Sequence, residues 1–198
     1  MNDDTRKTRM IIAITGASGV IYGIRALQLL RDAPEIETHA VISPSAFLTA
    51  KDEVDMDPDE MRALPDVLYN HRDIAASLSS GSYRTAGMLV APCTVKTLSN
   101  IATCNAGELI PRAADVCLKE RRRLVLMFRE TPLHAGHIAL MEQATRNGAI
   151  VMPPVPAFYS KPKTLMDMVD QSVGRALDLF DIHLPHVRRW TEDEDGSS

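Results

Sequence analysis

The sequence lacks paired cysteines, an excess of positive charge and a long apolar run, and each absence excludes a class of protein. Its three cysteines, Cys93, Cys104 and Cys117, form no C-x-x-C pair, which argues for free thiols in a cytoplasmic protein and against a zinc site. The net charge of −4 argues against a nucleic-acid partner. The polar start is followed by an apolar run only as long as a strand, so neither a signal peptide nor a membrane anchor is predicted.

Two common phosphate-binding motifs, G-x-G-x-x-G and the P-loop G-x-x-x-x-G-K-[ST], are also absent. The chain has instead M-I-I-A-I-T-G-A-S-G at 10–19, which predicts a buried strand, a glycine turn and a helix from about Val20. Backbone N–H groups and the helix dipole at such a junction favour an anion, and phosphate is the natural one. An ordinary turn without a ligand fits the same letters.

Length and composition predict one α/β domain. With 198 residues, 45% of them apolar, the chain is long enough for one sizeable core and too short for two. Apolar runs alternate with helical patterns, as in a three-layer Rossmann-like or flavodoxin-like fold, in which helices cover both faces of a parallel sheet. We expect a flexible N-terminus at 1–9, a single domain at 10–185 and a partly disordered tail at 186–198.

Five strands and the helices between them are predicted from the hydrophobic pattern. The strands are expected at 10–14, 38–42, 87–91, 123–128 and 149–152. A helix that follows Ser43 or Ser45 is expected to turn inward the residues Ala46, Phe47, Leu48 and Ala50. A helix at 164–180 is expected to turn inward Leu165, Met168, Val169, Val173 and Leu177. The acidic stretch 52–63 is interpreted as a solvated connection.

The expected strand ends bring polar residues together. Ligands of open α/β sheets bind outside the carboxyl ends of the strands, which here carry T-G-A-S-G, S-P-S, P-C-T-V-K-T and F-R-E-T-P. The hydroxyls of Thr94 and Thr97, with Lys96 between them, either cap a helix or hold a cofactor's phosphate and ribityl chain. Cys93 has no identifiable histidine partner and is interpreted as a packing residue. The sequence therefore predicts one polar pocket at this edge.

Six motifs, in order along the chain, resemble those of the UbiX-like flavin prenyltransferases, which belong to the flavin-dependent flavodoxin-like decarboxylase superfamily. They are T-G-A-S-G-x-x-Y-G at 15–23, G-S-Y-R-T-x-G-M at 81–88, P-C-T-x-K-T-L at 92–98, R-A-A-D-V-x-L-K-E-R at 112–121, R-E-T-P-L at 129–133 and P-A-F-Y-x-x-P at 156–162. Thr94 stands where serine is more usual. The stretch 133–141 departs from the common form, and its His134 and His137 either tune substrate choice or simply pack a helix.

The resemblance implies a transferase that joins a dimethylallyl group, delivered as dimethylallyl phosphate, to N5 and C6 of reduced FMN. The product, prenylated FMN, would serve a UbiD-type decarboxylase. By motif position, the expected FMN contacts are Gly16, Ala17, Ser18, Ser43, Thr94, Val95, Lys96, Thr97 and Arg129. The expected contacts of the prenyl phosphate are Arg112, Lys119, Arg129, Glu130, Tyr159 and Arg175. Ser18 and Glu53 would relay protons. The family also implies a homo-oligomer, expected to be a dodecamer built from trimers with active sites at subunit contacts.

The residue types suit this chemistry independently of the resemblance. Breaking a C–O bond to an allylic group leaves charge on the phosphate, which fixed Lys and Arg side chains stabilise. Glu130 beside that phosphate would hold or supply a proton. No internal D-D-x-x-D motif of the kind that binds magnesium diphosphate is present, so metal-free chemistry on a monophosphate is expected.

Two alternatives stay open. The first is an FMN-dependent cysteinyl decarboxylase of the same superfamily, which the lack of Asn within 94–97 and of a P-x-M-N string disfavours. The second is a non-catalytic flavin-binding subunit of a decarboxylase, which would not need the residues expected to bind the prenyl phosphate.

Overall fold

Strands and helices alternate along the part of the chain that the computed structural model describes, residues 7–184 and 187. The strands are β1 (Thr8–Ile14), β2 (Ile36–Ile42), β3 (Val67–Tyr69), β4 (Gly87–Cys93), β5 (Arg123–Phe128) and β6 (Ile150–Val151). The helices are α1 (Ile21–Leu30), α2 (Pro44–Val54), α3 (Pro58–Arg62), α4 (Val95–Ala102), α5 (Leu109–Lys119), α6 (Ala135–Arg146) and α7 (Leu165–Asp178). Short 3-10 helices lie at Ser77–Ser79 and Phe158–Ser160.

The strands form one sheet in the order β3-β2-β1-β4-β5-β6, and every neighbouring pair is parallel. All carboxyl ends therefore lie at one edge. The order reverses between β1 and β4, which is the point where doubly wound α/β proteins bind their ligands. The predicted α/β class, with a parallel sheet between two helical layers, is confirmed.

The core occupies both faces of the sheet. Along β1, Met10, Ile12 and Ile14 pack into one layer with α1 and α7, whereas Ile11 and Ala13 pack into the other with α4 and α5. All five side chains are buried. This two-sided burial explains why the central strands are continuous apolar runs, which made them predictable.

Two elements escaped prediction from the sequence. Strand β3 has three apolar residues, none of them buried, and a run that short does not distinguish a strand from a loop. Helix α3 lies in the stretch interpreted as a solvated connection, yet it starts from a capping box between Asp57 and Glu60 and buries Met61 completely. That stretch is therefore an ordered part of the fold.

Two inner-face assignments are wrong. Leu48 is 71% exposed because it lies two residues from both Ala46 and Ala50, which are buried, and so faces the opposite side of α2. Leu165 is 76% exposed at the first position of α7, whereas Val169, one turn later, is buried. The sequence pattern predicted the helix, but it did not predict the residue at which the helix first packs against the core.

The expected tails fall largely outside the described residues. At the start, β1 begins at Thr8, which pairs with Ile36, so the strand starts two residues before the expected domain boundary. The predicted tail at 186–198 lies outside the described part except for Val187, which is buried. Among the described helices, none is both long and apolar enough to cross a membrane.

Candidate active site

One buried threonine joins the loops that leave the two central strands. The Thr15 hydroxyl donates a hydrogen bond to the Pro92 carbonyl oxygen at 2.7 Å and accepts one from the Thr94 N–H at 3.0 Å. Thr15 is only 2% exposed. The Arg129 N–H, at the end of β5, donates to the Cys93 carbonyl oxygen at 3.1 Å. The loops after β1, β4 and β5 are thus held together at the carboxyl edge.

The N-terminus of α4 is prepared for an anion. Thr94 caps the helix, because its hydroxyl oxygen accepts from the Thr97 N–H at 3.1 Å. The Thr94 O–H in turn donates to the Thr97 hydroxyl oxygen at 3.0 Å. The N–H groups of Val95 and Lys96 have no hydrogen-bond partner among the described residues, as expected for the first helical turn. Two free donors and the positive end of the helix dipole converge there.

The start of α4 borders a pocket of about 320 Å³ at the carboxyl edge, which Thr94, Lys96 and Thr97 line. Ser43 supplies one wall: it caps α2 by accepting from the Ala46 N–H at 3.3 Å, and its hydroxyl lies 3.0 Å from that of Ser45. Of the two candidate caps, the structure selects Ser43. Further lining residues are Thr15, Pro44, His71, Arg72, Thr94, Lys96, Thr97, Asn100, Glu108, Ile110 and Pro111. The pocket is rich in hydroxyl donors, which suits a phosphate or a polyol chain.

The T-G-A-S-G turn lies beside this pocket, and the structure requires both of its glycines. A Cβ at Gly16 would overlap the Ser45 side chain, so the close approach of the turn to α2 depends on glycine. Gly19 has a φ of +90°, in the left-handed region, and a Cβ there would lie 3.0 Å from the Tyr22 ring. Ala17 lies between them, and Ser18 is exposed, with no side-chain hydrogen bond to any described residue.

A carboxylate of the chain itself occupies the anion position at the start of α1. Oε2 of Glu53 accepts from the N–H groups of Gly19 and Val20 at 2.8 and 3.2 Å. A phosphate was the expected occupant of these donors. Glu53 already satisfies them, so the free donors for a phosphate are those of α4. The arrangement also brings Glu53 next to Ser18, its expected partner in proton transfer.

Arg129 and Glu130 emerge from β5 at the same edge, and both are exposed. Oε1 of Glu130 accepts from the Thr131 N–H at 3.0 Å. Burial raises the pKa of the Tyr22 phenol, and the positive charge of the nearby Arg129 opposes that rise. Arg129 therefore lies beside α1 and the glycine turn. In the sequence analysis Tyr22 appears only within the motif at 15–23. Its position one helical turn after Gly19 is the signal that would have predicted its place near the glycine turn.

Two of the expected phosphate ligands lie away from these loops within one chain. Lys119 ends α5 and pairs with Glu120 at 2.5 Å, just before β5 begins at the amino edge of the sheet. Because β5 has six residues, about 17 Å separate its two ends, and Glu130 lies beyond the far one. Arg175 pairs with Asp178 in the last turn of α7, a helix that also ends at the amino edge.

The other two expected ligands are likewise turned elsewhere. The Arg112 guanidinium, in the first turns of α5, donates to Asp115 at 2.9 Å and to the Ser79 carbonyl oxygen at 3.2 Å. The Tyr159 hydroxyl accepts from Nε2 of Gln171, on α7, at 3.4 Å. One chain therefore assembles the expected flavin contacts with Glu53 and Glu130, but not Arg112, Lys119, Tyr159 or Arg175.

His134 and His137 lie close together at the start of α6, with their rings tilted by 30°. Nδ1 of His134 accepts from the Gly136 N–H at 3.0 Å and so caps α6, and the two imidazole rings lie 3.7 Å apart. The His137 ring also meets Phe128 edge-on. These contacts favour the helix-packing interpretation. Burial raises the pKa of the Cys93 thiol, which agrees with its interpretation as a packing residue and not a nucleophile.

The geometry agrees with comparisons to known proteins. The family model described as Flavoprotein matches residues 1–182. Flavin prenyltransferase UbiX of Salmonella typhimurium (strain LT2) is 57% identical over 184 residues, which are 92% of this chain and 97% of that protein. The chain belongs to the UbiX flavin prenyltransferases.

Solved structures of this family share the whole fold. A structure of AnUbiX (PadA1) in complex with FMN and dimethylallyl pyrophosphate has a TM-score of 0.91 and 50% identity, covering 94% of this chain and 98% of that one. A dodecameric FMN-dependent Ubix-like decarboxylase from Escherichia coli O157:H7 has a TM-score of 0.90 and 44% identity, covering 93% and 100%. Within the described part of this UbiX-family chain, no cluster of three or more His, Cys, Asp or Glu residues could hold a metal ion.

Proposed function

We propose that this UbiX-family chain transfers a dimethylallyl group from dimethylallyl phosphate to N5 and C6 of reduced FMN. The 57% identity to the Salmonella enzyme over almost the whole chain carries the proposal. The site supports it, because the carboxyl edge offers both a phosphate-binding helix start and a separate pair of charged side chains, Arg129 and Glu130. A pocket for a single phosphorylated ligand would need either the helix start or the charged pair, but not both.

FMN fits the pocket at α4. The free N–H groups of Val95 and Lys96, with the hydroxyls of Ser43, Thr94 and Thr97, suit its phosphate and ribityl chain. Gly16, Ala17 and Ser18 form the wall on which the ring system would lie, with Arg129 at its border. Reduced FMN supplies the nucleophilic N5 and C6 positions. The role of the chain is to bind it, orient it and exclude water.

The second substrate needs cations at the departing phosphate. When the C–O bond of dimethylallyl phosphate breaks, the electron pair stays on the phosphate oxygen, and Arg and Lys side chains stabilise that charge. We assign this role to Arg129, which lies at the carboxyl edge with Glu130 next to it. Lys119 would come from a neighbouring copy, because one chain keeps it about 17 Å or more from Glu130. Arg112, Tyr159 and Arg175, whose side chains bond to other residues of their own chain, are assigned to neighbouring copies as well. We therefore infer a homo-oligomer, a dodecamer like the E. coli relative, with sites at subunit contacts.

Proton movements are assigned to Ser18 and Glu53. Oε2 of Glu53 is fixed by two backbone N–H groups, whereas its other oxygen has no partner among the described residues. The fixed oxygen orients the carboxylate, and the second is available to exchange a proton with the Ser18 hydroxyl or with the substrate. Removal of the carboxyl alone tests this role.

The product, prenylated FMN, would pass to a UbiD-type decarboxylase. The three cysteines are free thiols, two of them buried, which supports the proposed cytoplasmic location because such thiols persist where disulfides are reduced.

The decisive experiment is anaerobic incubation of the purified protein with reduced FMN and dimethylallyl phosphate, followed by mass spectrometry of the extracted flavin. The expected result is a flavin heavier by one prenyl unit, formed only when both substrates are present. Protein that binds FMN yet yields no heavier flavin would contradict the proposal and favour a non-catalytic flavin-binding subunit. A parallel incubation with dimethylallyl diphosphate determines which donor is used.

A further inference from the structure

The mouth of the α4 pocket carries an arginine from a segment outside the motifs shared with the family. Arg72 and His71 follow β3 and line the pocket beside α4. The segment is anchored at two points: the Leu109 N–H donates to the His71 carbonyl oxygen at 2.8 Å, and the Arg72 N–H donates to the Asn70 side chain at 3.0 Å. The backbone at His71 and Arg72 is thus fixed in place where Arg72 lines the pocket.

The charges around the pocket leave Arg72 uncompensated. Lys96, the other cation of the lining, forms an ion pair with Glu108 at 3.0 Å. Glu108 is the one carboxylate of the lining, so its charge cancels that of Lys96. Arg72 forms no ion pair with any carboxylate of the described residues. A dianion bound at the start of α4 would therefore have two kinds of donor nearby, the free N–H groups of the first helical turn and the unpaired guanidinium of Arg72 in the pocket lining.

We propose that Arg72 is the residue that makes this pocket specific for a phosphorylated flavin. The inference rests on the proposed function and refines it: Lys96 contributes its backbone N–H, and the net positive charge comes from Arg72. A guanidinium can donate two parallel hydrogen bonds to phosphate oxygens, which an ammonium cannot do. Riboflavin, which has the same ring and ribityl chain but no phosphate, should gain nothing from Arg72.

The test is the ratio of dissociation constants for riboflavin and FMN, measured by quenching of flavin fluorescence in the full-length protein. Arg72→Gln should weaken FMN binding about tenfold, the value expected for one charge-assisted contact, and leave riboflavin binding unchanged. Arg72→Lys should give an intermediate ratio. Arg146→Gln, which removes the same charge from an exposed pair on α6, is the matched control and should keep the wild-type ratio.

A second variant tests the charge balance without touching Arg72. Glu108→Gln releases Lys96 from its ion pair, so FMN binding should become tighter relative to riboflavin, by a factor that shrinks as salt is raised. Equal effects of Arg72→Gln on both flavins, or no effect on either, would overturn the inference. An unchanged ratio of dissociation constants in Glu108→Gln would also overturn the inference. This second variant decides the matter if Arg72→Gln binds neither flavin. Failure of the wild-type protein to bind FMN would instead contradict the proposed function.

Discussion

Replacing Thr15 by valine should loosen the carboxyl edge without changing the shape of the side chain. Valine keeps the volume and the branching, but it removes the hydroxyl that donates to the Pro92 carbonyl oxygen and accepts from the Thr94 N–H. Both backbone groups then lose their partners in a region that is only 2% exposed at this residue. The damage is therefore confined to two hydrogen bonds that join the loop after β1 to the end of β4 and to Thr94.

The magnitude follows from those two bonds. Each buried backbone group left without a partner costs about 2 kcal/mol, and the extra buried methyl group returns about 1 kcal/mol, so the free energy of unfolding should fall by about 3 kcal/mol. For a chain of this length that lowers Tm by about 6–12 °C. Because Thr94 caps α4, Thr15→Val should also weaken FMN binding, whereas mutations of similar cost elsewhere in the core should not.

Calorimetry and urea unfolding of Thr15→Val, with Thr15→Ser as the matched control, measure this effect. Serine keeps the hydroxyl and loses only a methyl group, so its cost should be about 1 kcal/mol. A decrease in the free energy of unfolding of less than about 1 kcal/mol for valine would refute the reasoning, because two buried backbone groups without partners should destabilise the fold by more than that. Equal losses for serine and valine would show that packing, and not hydrogen bonding, holds the loops.

Three further predictions concern other parts of the chain. In the native protein Ellman's reagent should modify Cys104, which is exposed, but not Cys93 or Cys117, because burial raises the pKa of Cys117 to about 12 and that of Cys93 further; all three should react after unfolding, and fast native reaction of a buried thiol would contradict the structure. Burial lowers the pKa of His39 from its ordinary 6.5, so the unfolded chain takes up the proton first and the free energy of unfolding should decrease as pH falls below 6.5; urea titrations should show a weaker decrease in His39→Gln, and the same slope in both proteins would exclude His39 as the source. Glu53→Gln should bind FMN but form no prenylated flavin in the anaerobic assay, and full turnover would remove Glu53 from the mechanism.

The strands and the loops at their ends were predictable because they depend on local pattern. Strand β5 has the predicted bounds 123–128, and Ser43 is one of the two predicted caps of α2. A strand buried on both faces carries its signal in its own residues. The same holds for a capping side chain, whose partner is three residues away.

The parts that the sequence could not predict depend on contacts between distant residues. Thr15 is bonded to a residue 77 positions away, and Glu53 caps a helix that starts more than 30 positions earlier. Strand β3 is too short for a periodic pattern, so the sequence did not predict that β3 pairs with β2 and that Arg72, which follows it, lines the pocket. The separation of Lys119 from Glu130 is likewise a property of the fold, because Lys119 ends α5 at the amino edge of the sheet and Glu130 follows β5 at the carboxyl edge.

That separation has a consequence for genetics. If each site takes Glu130 from one copy and Lys119 from another, Glu130→Gln and Lys119→Ala damage different halves of the site. Mixed oligomers of the two inactive variants would then contain some sites in which both halves are intact, and activity should reappear when the subunits are exchanged. Neither variant would recover by itself at any concentration. Because α5 ends at the amino edge, two defective copies of the gene could together support the reaction.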